Sequence, residues 1–130
     1  MNPTMLTLAG RLLLAALFLV AGVRKVLMFA GSAAYFTKLG FPAPEAMTVL
    51  AIVVEIGGAL LLIVGWKARW AALLLALFTV IATFMAHRFW EFDAAAYANQ
   101  LNHFLKNAAI VGGLLFVAAF GPGRASVDKS

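Results

Sequence analysis

Glu55 stands alone near the middle of an apolar stretch, Thr48–Gly65 (TVLAIVVEIGGALLLIVG). A charge at mid-bilayer costs about 2.5–3.5 kcal/mol on insertion scales when nothing meets it. The groups able to meet it are Arg24, Lys25, Arg88 and Lys106, with His87, His103 and Asn107 as polar neighbours. One acid against four cations leaves positive charge over. Held inside a bundle, that surplus suits an anion or a ligand rich in acceptor oxygens, such as a quinone headgroup, a phosphate or another oxyanion. The histidines add proton carriers that work near neutral pH. The plainer reading is a structural pin between Glu55 and Lys25 or Lys106, although desolvation offsets much of a buried pair's attraction. A metal on Glu55, His87 and His103 fits poorly, because their depths differ by about two turns and cations crowd the site. Haem between the two histidines fits worse, since neither is deep. The chain has no cysteine, which removes disulfides, dithiol redox centres and thiolate metal sites.

The elements that must position these groups are membrane spans. Of 130 residues, 65% are hydrophobic and 12% charged, with mean hydropathy +1.00. Soluble domains run nearer ~45–50% apolar and ~25% charged. The net charge of +5 sits singly at span ends rather than on one solvated face, so it does not point to nucleic acid. Four apolar segments, each about 19–23 residues, match a bilayer core of about 30 Å. They run over Leu6–Met28, Ala46–Gly65, Trp70–Trp90 and Asn102–Phe120. The first is a retained span rather than a signal peptide, for it lacks a preceding Lys or Arg and is about twice an ordinary signal core. Short links then dictate an all-α, integral-membrane antiparallel four-helix bundle.

The links carry their own signals. WKARW between spans two and three is a tight turn, with Trp66 and Trp70 at the interface and Lys67 and Arg69 in the headgroups. Between spans one and two, Ser32 is placed to cap a short interfacial helix, AAYFTKL, which Gly40 ends; its Tyr35, Phe36 and Leu39 suit a lid. Asp93 is placed as the N-cap of an earlier start to span four. Residues 1–123 form the membrane domain, and 124–130 read as a polar, frayed tail. Gly57-Gly58 and Gly112-Gly113 allow close helix approach and hint at an old duplication of two hairpins.

Span directions put Arg24, Lys25, His87, Arg88, His103, Lys106 and Asn107 toward the end away from the termini, termed side B; the end bearing both termini is side A. Glu55 shares a face with Ala51, Gly58 and Ala59, Lys25 with Ala21 and Gly22, and Lys106 with Ala109 and Gly113. Small residues at helical spacing mark helix contacts, so these three charges point inward. Phe84, Phe89, Trp90 and Phe104 suit an aromatic wall, and Met28, Met47 and Met85 read as lipid-facing or core filler. Leaving out the four cations of the site, side A carries Arg11, Lys67, Arg69, Arg124 and Lys129 against Lys38 on side B. The positive-inside rule then places both termini in the cytoplasm.

In order, these motifs resemble the DoxX family of small bacterial membrane proteins along nearly the whole chain. They are Ala21-Gly22 with Lys25, Tyr35-Phe36 with Leu39-Gly40 and Pro42, Glu55 with Gly57-Gly58, Arg69-x-Ala-Ala, His87-x-Phe-Trp, Phe104-x-Lys106-Asn107 with Gly112-Gly113, Gly121-Pro122-Gly123 and Ser126-x-Asp128. The resemblance implies an inner-membrane location and a quinone, oxidoreductase or oxidative-stress context. It carries Lys25, Glu55, His87, Lys106 and Asn107 as site positions.

Three functions follow as expectations. In a quinone-interacting oxidoreductase subunit, Lys25 and Lys106 polarise the headgroup while Arg24, Arg88, His103 and Asn107 line the site. Glu55 and His87 are its candidate catalytic residues, Glu55 orienting the headgroup and His87 relaying a proton to side B. In a binding or permeation module, the cavity holds a small organic anion or lipid headgroup, within a homo-oligomer. In a scaffold, side A loops anchor a soluble redox enzyme. A quinone is the one cofactor expected, and no metal is.

Overall fold

The computed structural model describes residues 1–129. Helices α1 (Pro3–Leu27), α3 (Pro44–Val64), α4 (Ala68–Ala86) and α5 (Ala94–Phe120) are long and apolar enough to cross a membrane. The fold is all-helical, as expected. α2 (Phe29–Lys38) links α1 to α3, and a 3-10 turn (Phe89–Glu91) leads into α5. α1 packs mainly on α3, and α4 mainly on α5; α3 joins the pairs against α4, and α2 lies against α3. The α1–α5 seam is loose.

Local chemistry sets the helix ends. Asn2 accepts from the Thr4 N–H at 3.0 Å, and Pro3 opens α1. Asp93 caps α5 through the Ala96 N–H at 3.1 Å, so the last span does begin earlier than its apolar run. Ser32 is not a cap. α2 starts three residues before it and follows α1 after Met28 alone, and the Ser32 N–H donates to Met28 O inside the helix. α4 ends at Ala86 rather than Trp90, because the chain turns at His87.

The core runs through Ala15, Phe18, Ala59, Leu62, Ala72, Leu75 and Leu114. Alanines dominate, so backbones approach closely, the packing mode lipid favours. The glycine pairs split in function. A Cβ on Gly58 would lie 2.8 Å from Leu75 Cγ, and one on Gly113 3.2 Å from Leu14 Cδ2. Gly57 and Gly112 face open space.

Side A is closed by a network the apolar pattern does not announce. Arg11, only 2% exposed, donates to the carbonyls of Pro122, Ala125 (2.7 Å) and Ile63 (3.3 Å). It does not reach headgroups. Nor is the tail frayed over its described length. The Val127 and Asp128 N–H groups donate to Val64 O (3.0 Å) and Gly65 O (2.9 Å). The Asp128 carboxylate accepts from the Lys67 and Ala68 N–H groups, both at 2.9 Å. Lys67 sits at φ 48° and offers no side-chain cap of its own, so the tail supplies the anion at the N-terminus of α4. Arg69 donates to Ala119 O at 2.7 Å and satisfies the end of α5. Ser130, the last residue assigned to the tail, lies outside the described residues.

Two outcomes follow. Arg11→Ala strips charged donors from three carbonyls and costs at least ~3 kcal/mol, whereas Asp128→Ala, a lost cap, costs ~1 kcal/mol. Urea unfolding in micelles reads both, and equal losses refute the hub. Gly58→Ala forces Leu75 aside and costs ~1–3 kcal/mol, while Gly57→Ala is neutral or mildly stabilising. The same assay ranks them.

Candidate functional site

Glu55 lies 11 residues after Pro44 in α3, about 16 Å along the axis. It is 3% exposed. Gly22 of α1 abuts it and lets the two backbones approach, since a Cβ there would sit 2.5 Å from Ile56 Cγ1 and 3.3 Å from Glu55 Cβ. One turn on, Lys25 extends its Nζ to 2.7 Å from Glu55 Oε1. The distance is that of an ion pair, but the approach is too oblique for a good hydrogen bond, and Oε1 has no other donor. Among the described residues, no donor reaches Oε2.

This pair stands on the wall of a cavity of ≈ 890 Å³, within the ~300–1,000 Å³ typical of ligand sites. α1, α2, α3, α4 and α5 all contribute. Its polar lining includes Arg24, Lys25, Glu55, His87, Lys106 and Asn107. Its apolar lining includes Phe18, Phe36, Phe78 and the three methionines Met28, Met47 and Met85, so the methionines are cavity wall. Leu17 and Val20 of α1 and Ile81 of α4 line it while staying 40–57% exposed, so the cavity opens toward lipid. α2 covers its side-B end with Ser32, Tyr35, Phe36 and Leu39. Partial burial raises the Tyr35 phenol above its ordinary pKa and keeps it a neutral donor.

Asn107 is held in a fixed sense. Its Nδ2 donates to Thr83 Oγ1 at 2.9 Å. Thr83 gives its own proton to Thr79 O (2.6 Å), and Thr79 gives its proton to Leu75 O (2.7 Å). Thr83 can then only accept, which fixes the amide orientation and leaves the second N–H and the Oδ1 of Asn107 free. That ladder places Asn107 level with the last turn of α4, and Lys106 and Asn107 line the same cavity as Arg24.

Not all the expected residues converge. His103 stacks on His87, with ring centroids 4.8 Å apart and planes at 20°, outside the cavity lining. His87 also pairs through Nδ1 with Gln100 Oε1 at 2.7 Å. Stacked rings cannot flank a haem iron. Arg88 lies outside too. The chain turns after Ala86, and Arg88 Nε pairs with Glu91 Oε2 at 3.0 Å. Phe84, Phe89, Trp90 and Phe104 do cluster edge-to-face, with Phe89–Phe104 centroids at 5.3 Å and Tyr97 joining, but they brace the α4–α5 corner rather than the cavity.

Comparison with known proteins agrees with this architecture. The DoxX family model matches residues 6–88. The inner membrane protein YqjF of Escherichia coli (strain K12) is 37% identical over 94% of this chain and 88% of its own length. The inner membrane protein YphA of the same strain is 30% identical over 98% of this chain and 91% of its own. The Surfeit locus protein 4 homolog of Schizosaccharomyces pombe is 30% identical over 97% of this chain, which spans only 37% of that protein. No solved structure matches the chain. With four helices fit to cross a bilayer, a family model over most of the sequence and two inner-membrane relatives matched nearly end to end, this protein is a membrane protein of the DoxX family.

Proposed function

We propose that this protein binds the headgroup of a membrane-dissolved quinone in the side-B half of its bundle, as a subunit of an inner-membrane oxidoreductase system. The observation that carries the reading is the two-part lining of the cavity: the Lys25–Glu55 pair and its polar neighbours on one wall, aromatic and thioether side chains around the rest. A quinone ring needs donors at its carbonyl oxygens and apolar contact on its faces. Lys25, Lys106 and the free N–H of Asn107 are the donors on offer. The prenyl tail leaves through the lipid-facing gap beside Leu17, Val20 and Ile81. His87, on the rim and bonded to Gln100, carries protons toward side B. The resemblance's redox context supports the same choice.

On this reading both termini are cytoplasmic. With Arg11 engaged inside the bundle and Arg88 outside the cavity, the basic residues outside the site are Lys67, Arg69, Arg124 and Lys129 on side A against Lys38 and Arg88 on side B. One observation favours a second reading: Arg24, Lys25 and Lys106 line the cavity against the single acid Glu55, which suits an organic anion or lipid headgroup without electron transfer.

The test is binding of a short-chain benzoquinone to the protein in lipid nanodiscs. The wild type binds it. Lys106→Met, at an exposed position where folding is insensitive, weakens binding about fivefold or more. Arg88→Gln, outside the cavity, leaves it unchanged. A wild type that ignores the quinone but retains an anionic amphiphile sinks the first reading in favour of the second.

A further inference from the structure

We propose that the site selects the reduced, hydroxyl-bearing form of its ligand, a quinol, over the quinone, because Glu55 presents a buried carboxylate that draws its missing donor from the ligand. This rests on the quinone-site reading above.

Glu55 is 97% buried by its 3% exposure, yet it lines the cavity. Among the described residues, its one polar partner is Lys25. Lys25 Nζ approaches Oε1 to 2.7 Å but off the hydrogen-bond axis, and no described donor meets Oε2. The threonine hydroxyls on its face and wall are spent on their own helices, while those of Ser32 and Tyr35 sit on α2 at the side-B end of the cavity. Thr48, two turns before Glu55 on its face, donates to Pro44 O at 2.8 Å. Thr79 on the cavity wall donates to Leu75 O, and Thr83 to Thr79 O. Every remaining charged group on the lining, Arg24, Lys25 and Lys106, only donates.

The two ligand forms differ in what they bring to that inventory. A quinone brings two acceptor oxygens and no donor. It satisfies the lysines and Asn107 and leaves a buried carboxylate short of a partner, an arrangement that carries a full desolvation penalty. A quinol brings an O–H for Glu55 and keeps lone pairs on the same oxygen for Lys25. Charge-assisted O–H···O⁻ bonds are the stronger kind. The pair is therefore built to hold one hydroxyl: Glu55 takes its proton side and Lys25 its lone-pair side.

The experiment compares three probes on the wild-type protein in nanodiscs: a short-chain benzoquinone, its hydroquinone and the hydroquinone dimethyl ether. The hydroquinone binds at least tenfold tighter than the quinone, and the dimethyl ether, with its donors capped, binds no better than the quinone. The bound couple titrates about 30 mV more positive for each tenfold of preference, as a two-electron couple requires. Glu55→Gln brings the ratio of the two affinities to within threefold of unity. Equal wild-type affinity for hydroquinone and quinone overturns the proposal, as does a dimethyl ether that matches the hydroquinone. Because the ether series acts on the ligand, it decides the matter even if Glu55→Gln fails to fold. Failure of both quinone and hydroquinone to bind overturns the quinone-site reading itself, a result distinct from equal affinity.

Discussion

A single buried guanidinium closes one end of this bundle. Arg11 gathers carbonyls from the end of α3 and from the tail after α5, which no lipid could satisfy. Carbonyls beyond a helix end are a liability in hydrocarbon, and five fixed donors on one side chain are an economical answer. Because Arg11 draws Pro122 and Ala125 in, the chain continues back across the α3–α4 turn. There Asp128 can reach the uncapped N–H groups of Lys67 and Ala68. The turn, the tail and the ends of three spans are thus one unit. With side A fastened this way, the α1–α5 seam need not be tight elsewhere, and the side-B half is free to part into a cavity.

The spans, their antiparallel order and the inward facing of Lys25 and Glu55 were legible because they depend on periodicity and length. An apolar run of twenty residues and a carboxylate among small side chains carry that information within one helix. The Asp93 cap was legible for the same reason, since its partner is three residues away. Arg11 was not. Its partners are main-chain carbonyls 52, 111 and 114 residues distant, and a carbonyl leaves no mark in the residue type. Asp128 was visible as a motif but its partners are likewise backbone. The methionines were misplaced because an apolar side chain facing lipid and one facing an apolar cavity look alike in sequence. Arg88 was drawn into the site on helix geometry carried past Ala86, where the chain in fact turns, and His103 on its depth at the side-B start of the last span, where it stacks on His87 instead.

The Lys25–Glu55 pair is hard to justify as a fastening. Buried ion pairs seldom outperform apolar packing, and this one is made imperfectly: the lysine side chain stays 26% exposed and its approach is oblique. Arg11 shows what a fastening in this fold looks like, with three carbonyl partners and almost no exposure. Glu55 has the burial with Lys25 as its one partner among the described residues. A carboxylate held that way by Gly22, Lys25 and the α3 backbone is preorganised for something the protein does not itself contain. Preorganised polar groups in a water-poor site exert their largest effect on an arriving ligand, because no reorganisation is needed when it docks. The contrast between the two buried charges, Arg11 with three carbonyl partners on its terminal nitrogens and Glu55 with one lysine, separates the structural end of this bundle from its functional half.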